Sequence, residues 1–133
     1  MFLMELESRE KFAFLKIANY LAKLDGIFAK NEKEIIKEYC LEMGIDNIYF
    51  ENEKFDLSDT LAIFKSRKSQ KILLLELMIL VHADNEFQFI EKELIQKISS
   101  FFQIEDDEVK QTSSWGKSIS ELRNEALEFI RSS

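Results

Sequence analysis

Two sets of acids are spaced for chemistry. Asp25 is followed seven and nine residues later by Glu32 and Glu34, and Asp84 by Glu91 and Glu93 at the same distances. Carboxylates gathered at a helix corner are hard oxygen donors of the kind that hold Ca²⁺, Mg²⁺ or Mn²⁺. They can equally accept the free N–H groups of the corner or of the next helix's first turn. A carboxylate at a helix C-terminus is opposed by the macrodipole, so Asp25 and Asp84 must gain one or the other. Glu32 and Glu91 fall roughly three residues into the following helix, where each would play the N3 part of a capping box, although Ala29 and Gln88 are poor N-caps. The candidate metal ligands are therefore Asp25, Glu32, Asp84 and Glu91.

Other chemistries fail on spacing. Counting from Asp84, the sixth and twelfth positions of an EF-hand loop would be Phe89 and Ile95 instead of Gly and Glu; from Asp25 they are Lys30 and Ile36. No Glu-x-x-His occurs, which excludes a ferritin-type di-iron bundle. His82 lies two residues before Asp84, about 200° around a helix, and so faces elsewhere as a satisfied, partly buried histidine. Cys40, the single cysteine, sits on an apolar face and reads as core; alone it excludes an internal disulfide and fits a reducing cytosol. There is no Ser/Cys–His–Asp arrangement, phosphate loop or zinc spacing, hence no positive case for catalysis. A metal-dependent hydrolase would need the four acids to converge around an open cleft.

The elements that must position these acids are helices. From Ile72 to Val81 every residue except Glu76 is apolar, and a helix apolar nearly all round belongs at the centre of a domain. Proline is absent and only three glycines occur in 133 residues, enough chain for one domain with a real core. Apolar periodicity predicts helices over 8–24, from about 29–31 to 43, 58–64, 69–83, a stretch ending near 102, 106–115 and a last one from the Ser118 cap through Ile130: about seven, with no strand. Their apolar faces are Phe14, Ile17, Ala18 and Leu21; then Ile35, Ile36, Tyr39, Cys40 and Met43; then Leu94, Ile95, Ile98, Phe101 and Phe102. For the last helix, capped by Ser118 with Glu121, the face is Ile119, Leu122, Ala126, Phe129 and Ile130. Ser8 is the expected cap of the first helix, the Asp25-Gly26 pair its end, and 46–57 a long connection. Most of the twelve phenylalanines are expected inside.

Charge narrows the partners. A net charge of −7 gives no general attraction to nucleic acid or anionic membrane, and the cluster Lys65, Arg67, Lys68 and Lys71 reads as a solvated helix start. The Ile72–Val81 run is shorter than the roughly 20 residues that span a bilayer, and MFLMELESREK lacks the features of a signal peptide, so a cytoplasmic protein is expected.

Sliding the chain by 59 residues aligns Ile17–Ile45 with Glu76–Ile104 without a gap, with eight of 29 positions identical, among them Asp25/Asp84, Phe28/Phe87 and Glu32/Glu91. Two helix-corner-helix hairpins packed on each other, sharing a core around Leu73, Leu77 and Leu80, are the expected arrangement of a single domain over 1–133.

The corner Leu24-Asp25-Gly26-Ile27-Phe28 with Glu32, Ile36 and Met43-Gly44-Ile45 resembles the TerB-like family, named for tellurite-resistance protein B. The second copy reads Ala83-Asp84-Asn85-Glu86-Phe87, Glu91, Ile95 and Phe102-Gln103-Ile104, with Asn85 where the family usually has Gly; Asn also tolerates a left-handed turn. The resemblance covers roughly residues 8 to 131 and implies an all-α bacterial bundle whose paired acids bind a metal. It also implies an accessory module in stress and membrane-associated systems. Together these lead to a non-enzymatic module binding a divalent metal and acting through protein partners. The alternative is a plain interaction or homodimerisation domain whose acids only fold the corners.

Overall fold

The first helix shows how locally the chain is specified. Glu7 holds extended backbone and its N–H donates to Glu10 Oε1 at 2.9 Å, so the helix starts one residue earlier than a Ser8 cap would place it. A computed structural model describes residues 1–24, 30–46, 55–83 and 89–132, with backbone alone at 30–32. Within these residues the fold is all-α, without a strand. After a 3-10 turn at Leu3–Glu5 come α1 (Ser8–Ala22), α2 (Lys30–Met43), α3 (Leu57–Leu61), α4 (Arg67–Val81), α5 (Phe89–Phe101) and α6 (Asp106–Arg131). The Asp25-Gly26 and Asp84 corners, and most of the connection before α3, lie outside the described residues.

α4 is the centre, as its composition demands. Ser66 caps it by accepting the Ser69 N–H at 3.0 Å, and it is buried almost continuously from Ile72 to Val81. Leu73, Leu77 and Leu80 are fully enclosed. α1, α5 and α6 all pack on it, while α2 lies on α1 and on the N-terminal turn. The predicted faces of α1 and α2 are buried in full. Burying each Leu, Ile or Phe contributes about 1.5–3 kcal/mol before chain entropy is set against it.

The ends of α2 and α5 are built alike. Gly44 takes φ 70° and Gln103 φ 56°. In α2 the Ile45 N–H reaches Cys40 O at 3.0 Å and the Gly44 N–H reaches Leu41 O at 3.3 Å. In α5 Ile104 reaches Ser99 O at 2.9 Å and Gln103 reaches Ser100 O at 3.1 Å. These are Schellman closures at the same 59-residue offset. Gln103 carries the left-handed strain that Gly44 avoids, and Arg67 compensates by donating to the carbonyls of Phe102 and Gln103. The solvated basic cluster is exposed, yet Arg67 within it closes a neighbouring helix and Lys68 pairs with Glu5 at 2.8 Å.

Three expectations need correction. The chain forms six α-helices among the described residues, not about seven, because 106–131 is one 26-residue helix. Ser118 is therefore no cap. Helix α6 runs through that point because Gly116 lies against α4, so close that a Cβ there would stand 2.6 Å from Met78 Cβ. Second, the apolar face predicted for the last helix is turned outward: Leu122 is 64%, Phe129 81% and Ile130 70% exposed, while Ala126 is exposed and Ile119 half-buried. The face that α6 buries is made of small and polar residues. Ser120 Oγ donates to Ile79 O at 2.7 Å and Asn124 Nδ2 to Ala83 O at 3.4 Å, which supplies donors to carbonyls at the end of α4. Third, of the nine described phenylalanines Phe14, Phe64 and Phe102 are buried and Phe55 is half-buried against the core, whereas Phe2, Phe12, Phe89, Phe101 and Phe129 are exposed; Phe28, Phe50 and Phe87 lie outside the described residues.

Candidate functional site

Of the four predicted metal ligands, Asp25, Asp84 and the side chain of Glu32 lie outside the described residues. Glu91 is described: it stands in the first turn of α5 and is only 5% exposed. A carboxylate buried at a helix N-terminus is favoured by the macrodipole there. Among the described residues no three His, Cys, Asp or Glu side chains come together as a metal-binding group.

The structure brings a different pair of acids together. Glu76, the one break in the apolar run of α4, is completely buried, and Glu42 near the end of α2 faces it. The Met1 ammonium lies between them, 2.7 Å from Glu42 Oε1 and 2.9 Å from Glu76 Oε1. The next two amides follow it in: Phe2 N–H donates to Glu76 Oε1 and Leu3 N–H to Glu42 Oε2, both at 2.8 Å. Leu3 and Leu6 are buried in the core just behind, which pins the N-terminal turn. Burial alone would push the ammonium pKa down. The hydrogen bonds to Glu42 and Glu76, and their charges, more than offset this and hold it above its ordinary value of 8.0.

These groups floor a cleft of about 410 Å³ between α2, α4 and α6, walled by Ile35, Ile79, Ile119 and Leu122. Tyr39 stands in the wall. Its hydroxyl donates to the Glu76 carbonyl at 2.8 Å and its ring meets Phe14 edge-on at 5.0 Å. Burial, then the charges of Glu76 and Glu42, push its phenol well above the ordinary pKa of 10.0, so it remains a donor. Across the rim Arg123 forks onto Glu38, Nη2 to Oε1 at 2.8 Å and Nε to Oε2 at 3.1 Å, tying α6 to α2. Beyond the rim, Leu122 leads onto the outer face of α6, where Trp115, Leu122, Phe129 and Ile130 are all more than half exposed. Alongside lies an open groove of about 720 Å³ whose lining includes Glu34, Glu121, Glu125 and Glu128.

His82 is half-buried, with Nε2 3.0 Å from Ser113 Oγ; burial and nearby Lys117 push its pKa down, which suits a neutral structural histidine. Cys40 is buried and free, its thiol pushed up by burial and by Asp46, away from the thiolate a nucleophile needs. No helix among the described residues is long and apolar enough to cross a membrane. No family model, curated protein or solved structure significantly matches the chain.

Proposed function

We propose that the chain is a non-enzymatic, TerB-like helical module that works by holding a protein partner, and that the partner is a basic amphipathic helix laid along the outer face of α6. One observation carries this: the large apolar residues of α6 point to solvent. Exposed apolar stripes rimmed by polar residues are where soluble proteins bind one another. Trp115 to Ile130 covers roughly 22 Å at 1.5 Å per residue, the reach of a four-turn helix. The acidic groove beside the stripe and the net charge of −7 favour a basic occupant and oppose a second copy of the same chain. The stress-response setting implied by the family resemblance belongs to the same proposal.

Sedimentation tests it. A lysine- and leucine-rich amphipathic peptide should form a one-to-one complex that Leu122→Glu with Phe129→Glu abolishes, while an acidic peptide of equal hydrophobicity should not bind. Concentration-dependent dimerisation of the chain alone, lost in the same double variant, would contradict the choice of partner.

A divalent cation (Ca²⁺, Mg²⁺ or Mn²⁺) held by Asp25, Glu32, Asp84 and Glu91 is a second role proposed for this module. The repetition of the acid spacing at a 59-residue offset supports it, and Glu91 stands buried in the first turn of α5.

A further inference from the structure

We infer that the cleft floored by Glu42 and Glu76 is a binding site for a primary alkylammonium, and that the Met1 ammonium occupies the ligand's place in this conformation. The cleft shares its Leu122 wall with the docking face on α6, but the inference rests on the acids that floor it. Four features of the cleft carry it.

Glu76 is a buried charge in the middle of the most apolar helix, where a shift of 59 residues places Ile17 in α1. A buried ion pair is seldom more stabilising than apolar residues of the same volume, so packing does not account for a carboxylate there. Its Oε2 atom is buried and has no hydrogen-bond partner among the described residues, although Oε1 receives both the Met1 ammonium and the Phe2 amide. An acceptor is therefore left over at the cleft floor, beside the oxygen that the Met1 ammonium already uses. The Met1 side chain is 52% exposed, so the part of Met1 that the cleft holds is its ammonium rather than its side chain.

The chemistry favours an ammonium over other cations. Two convergent carboxylates match three tetrahedrally disposed N–H donors, whereas a quaternary ammonium has none to offer. Of the three carboxylates that line the cleft, Glu38 is taken by the Arg123 fork, which leaves Glu42 and Glu76 to face a charged N–H donor. The walls of Ile35, Ile79, Ile119 and Leu122 would take an unbranched alkyl stem behind the charge. A lysine side chain and a free alkylamine share this chemistry.

The test begins with the chain extended by Gly-Ser ahead of Met1, which withdraws the terminal charge and leaves the cleft walls untouched. Titration with n-butylammonium, read from the methyl resonances of Ile35 and Ile79, should give saturable shifts in the extended chain and weaker apparent binding in the parent, where Met1 competes. Nα-acetyl-lysine amide tests the lysine source in a parallel arm; saturation by either probe supports the site. Tetramethylammonium should produce no saturable shift. Glu42→Gln, at a half-buried position that tolerates the change, should weaken binding at least about tenfold, as loss of a charged hydrogen bond does. If the extension unfolds the chain, the same titration of the parent still reads the competition. The proposal is overturned if neither probe saturates, if tetramethylammonium does so equally well, or if Glu42→Gln binds as the parent does.

Discussion

Replacing Gly116 by alanine sets two effects of opposite sign against each other. Helix propensity alone would favour Ala by about 1 kcal/mol, because glycine in a helix interior loses more backbone freedom on folding. At this position, however, the new Cβ would lie 2.6 Å from Met78 Cβ, 2.7 Å from Met78 C and 2.9 Å from Met78 O. Two of these are main-chain atoms of α4, so no rotamer change relieves the contact and α6 as a whole must back away. Overpacking of this kind costs about 1–3 kcal/mol, and the upper half applies where backbone has to move. The short bond from Ser120 to Ile79 O, 2.7 Å, would stretch in the same displacement. The net expectation is destabilisation by on the order of 1 kcal/mol, a fall in Tm of roughly 3–6 °C for a domain of this size. Urea unfolding followed by circular dichroism measures it, with an unchanged m-value confirming that native stability has moved. Ser118→Ala is the control: exposed inside a continuous helix, it should leave stability unchanged or raise it slightly. A Gly116→Ala variant more stable than the parent would refute the close approach, and with it the placement of α6 that builds the cleft.

Other outcomes follow from the same geometry. The Met1 ammonium has a folded pKa above its ordinary 8.0, so its contribution is complete below about pH 8 and is lost as pH rises through the raised value; the melting midpoint of the 133-residue chain should fall across that window, and much less after an N-terminal Gly-Ser extension. Gln103→Gly should stabilise by about 1 kcal/mol, since φ 56° strains any residue with a Cβ, whereas Gly44→Ala at φ 70° should destabilise by a similar amount; equal and neutral effects in denaturant melts would contradict both closures. If the acidic corners hold a divalent ion, a hundred-fold excess over Kd adds about 2.7 kcal/mol, and the midpoint in millimolar Ca²⁺ or Mn²⁺ should exceed that in chelator by several degrees. Asp25→Asn with Asp84→Asn should erase the difference.

Much of the architecture was legible because short-range signals and packing agree in it. The apolar run at Ile72–Val81 needs an all-round partner, and α4 receives one from α1, α5 and α6. The faces of α1 and α2 follow a 3.6-residue period that points them into the one shared core. Helix α6 broke that logic twice. Its Ser118-x-x-Glu121 signature is a real local preference, but capping needs extended backbone at Ser118, and contacts on both sides, through Gly116 and Ser120, hold that residue helical. Its large apolar residues were assigned to the core because periodicity reveals a stripe without saying which way it points. The inward face, Ser113, Gly116, Ser120 and Asn124, is small and polar because it serves carbonyls of α4 and a close helix approach. The Met1–Glu42–Glu76 constellation, in which Phe2 reaches Glu76 74 positions away, is a tertiary event that no window of sequence contains. Its one trace was Glu76, the single charge in an otherwise apolar helix. The four acids at the corners were singled out from spacing, and of their side chains only that of Glu91 is described, buried in the first turn of α5.

The central claim, that the outer face of α6 receives a basic amphipathic helix, can be read from the protein's only tryptophan. Trp115 is 51% exposed at one end of the stripe. Burial beneath a docked helix should shift its emission to shorter wavelength, saturably, as a lysine- and leucine-rich amphipathic peptide is added. The shift should disappear in Leu122→Glu with Phe129→Glu, which changes only solvent-facing side chains and should leave the melting midpoint close to that of the parent. An emission spectrum that stays unchanged through saturating peptide, or that shifts equally in the double variant, would contradict the account.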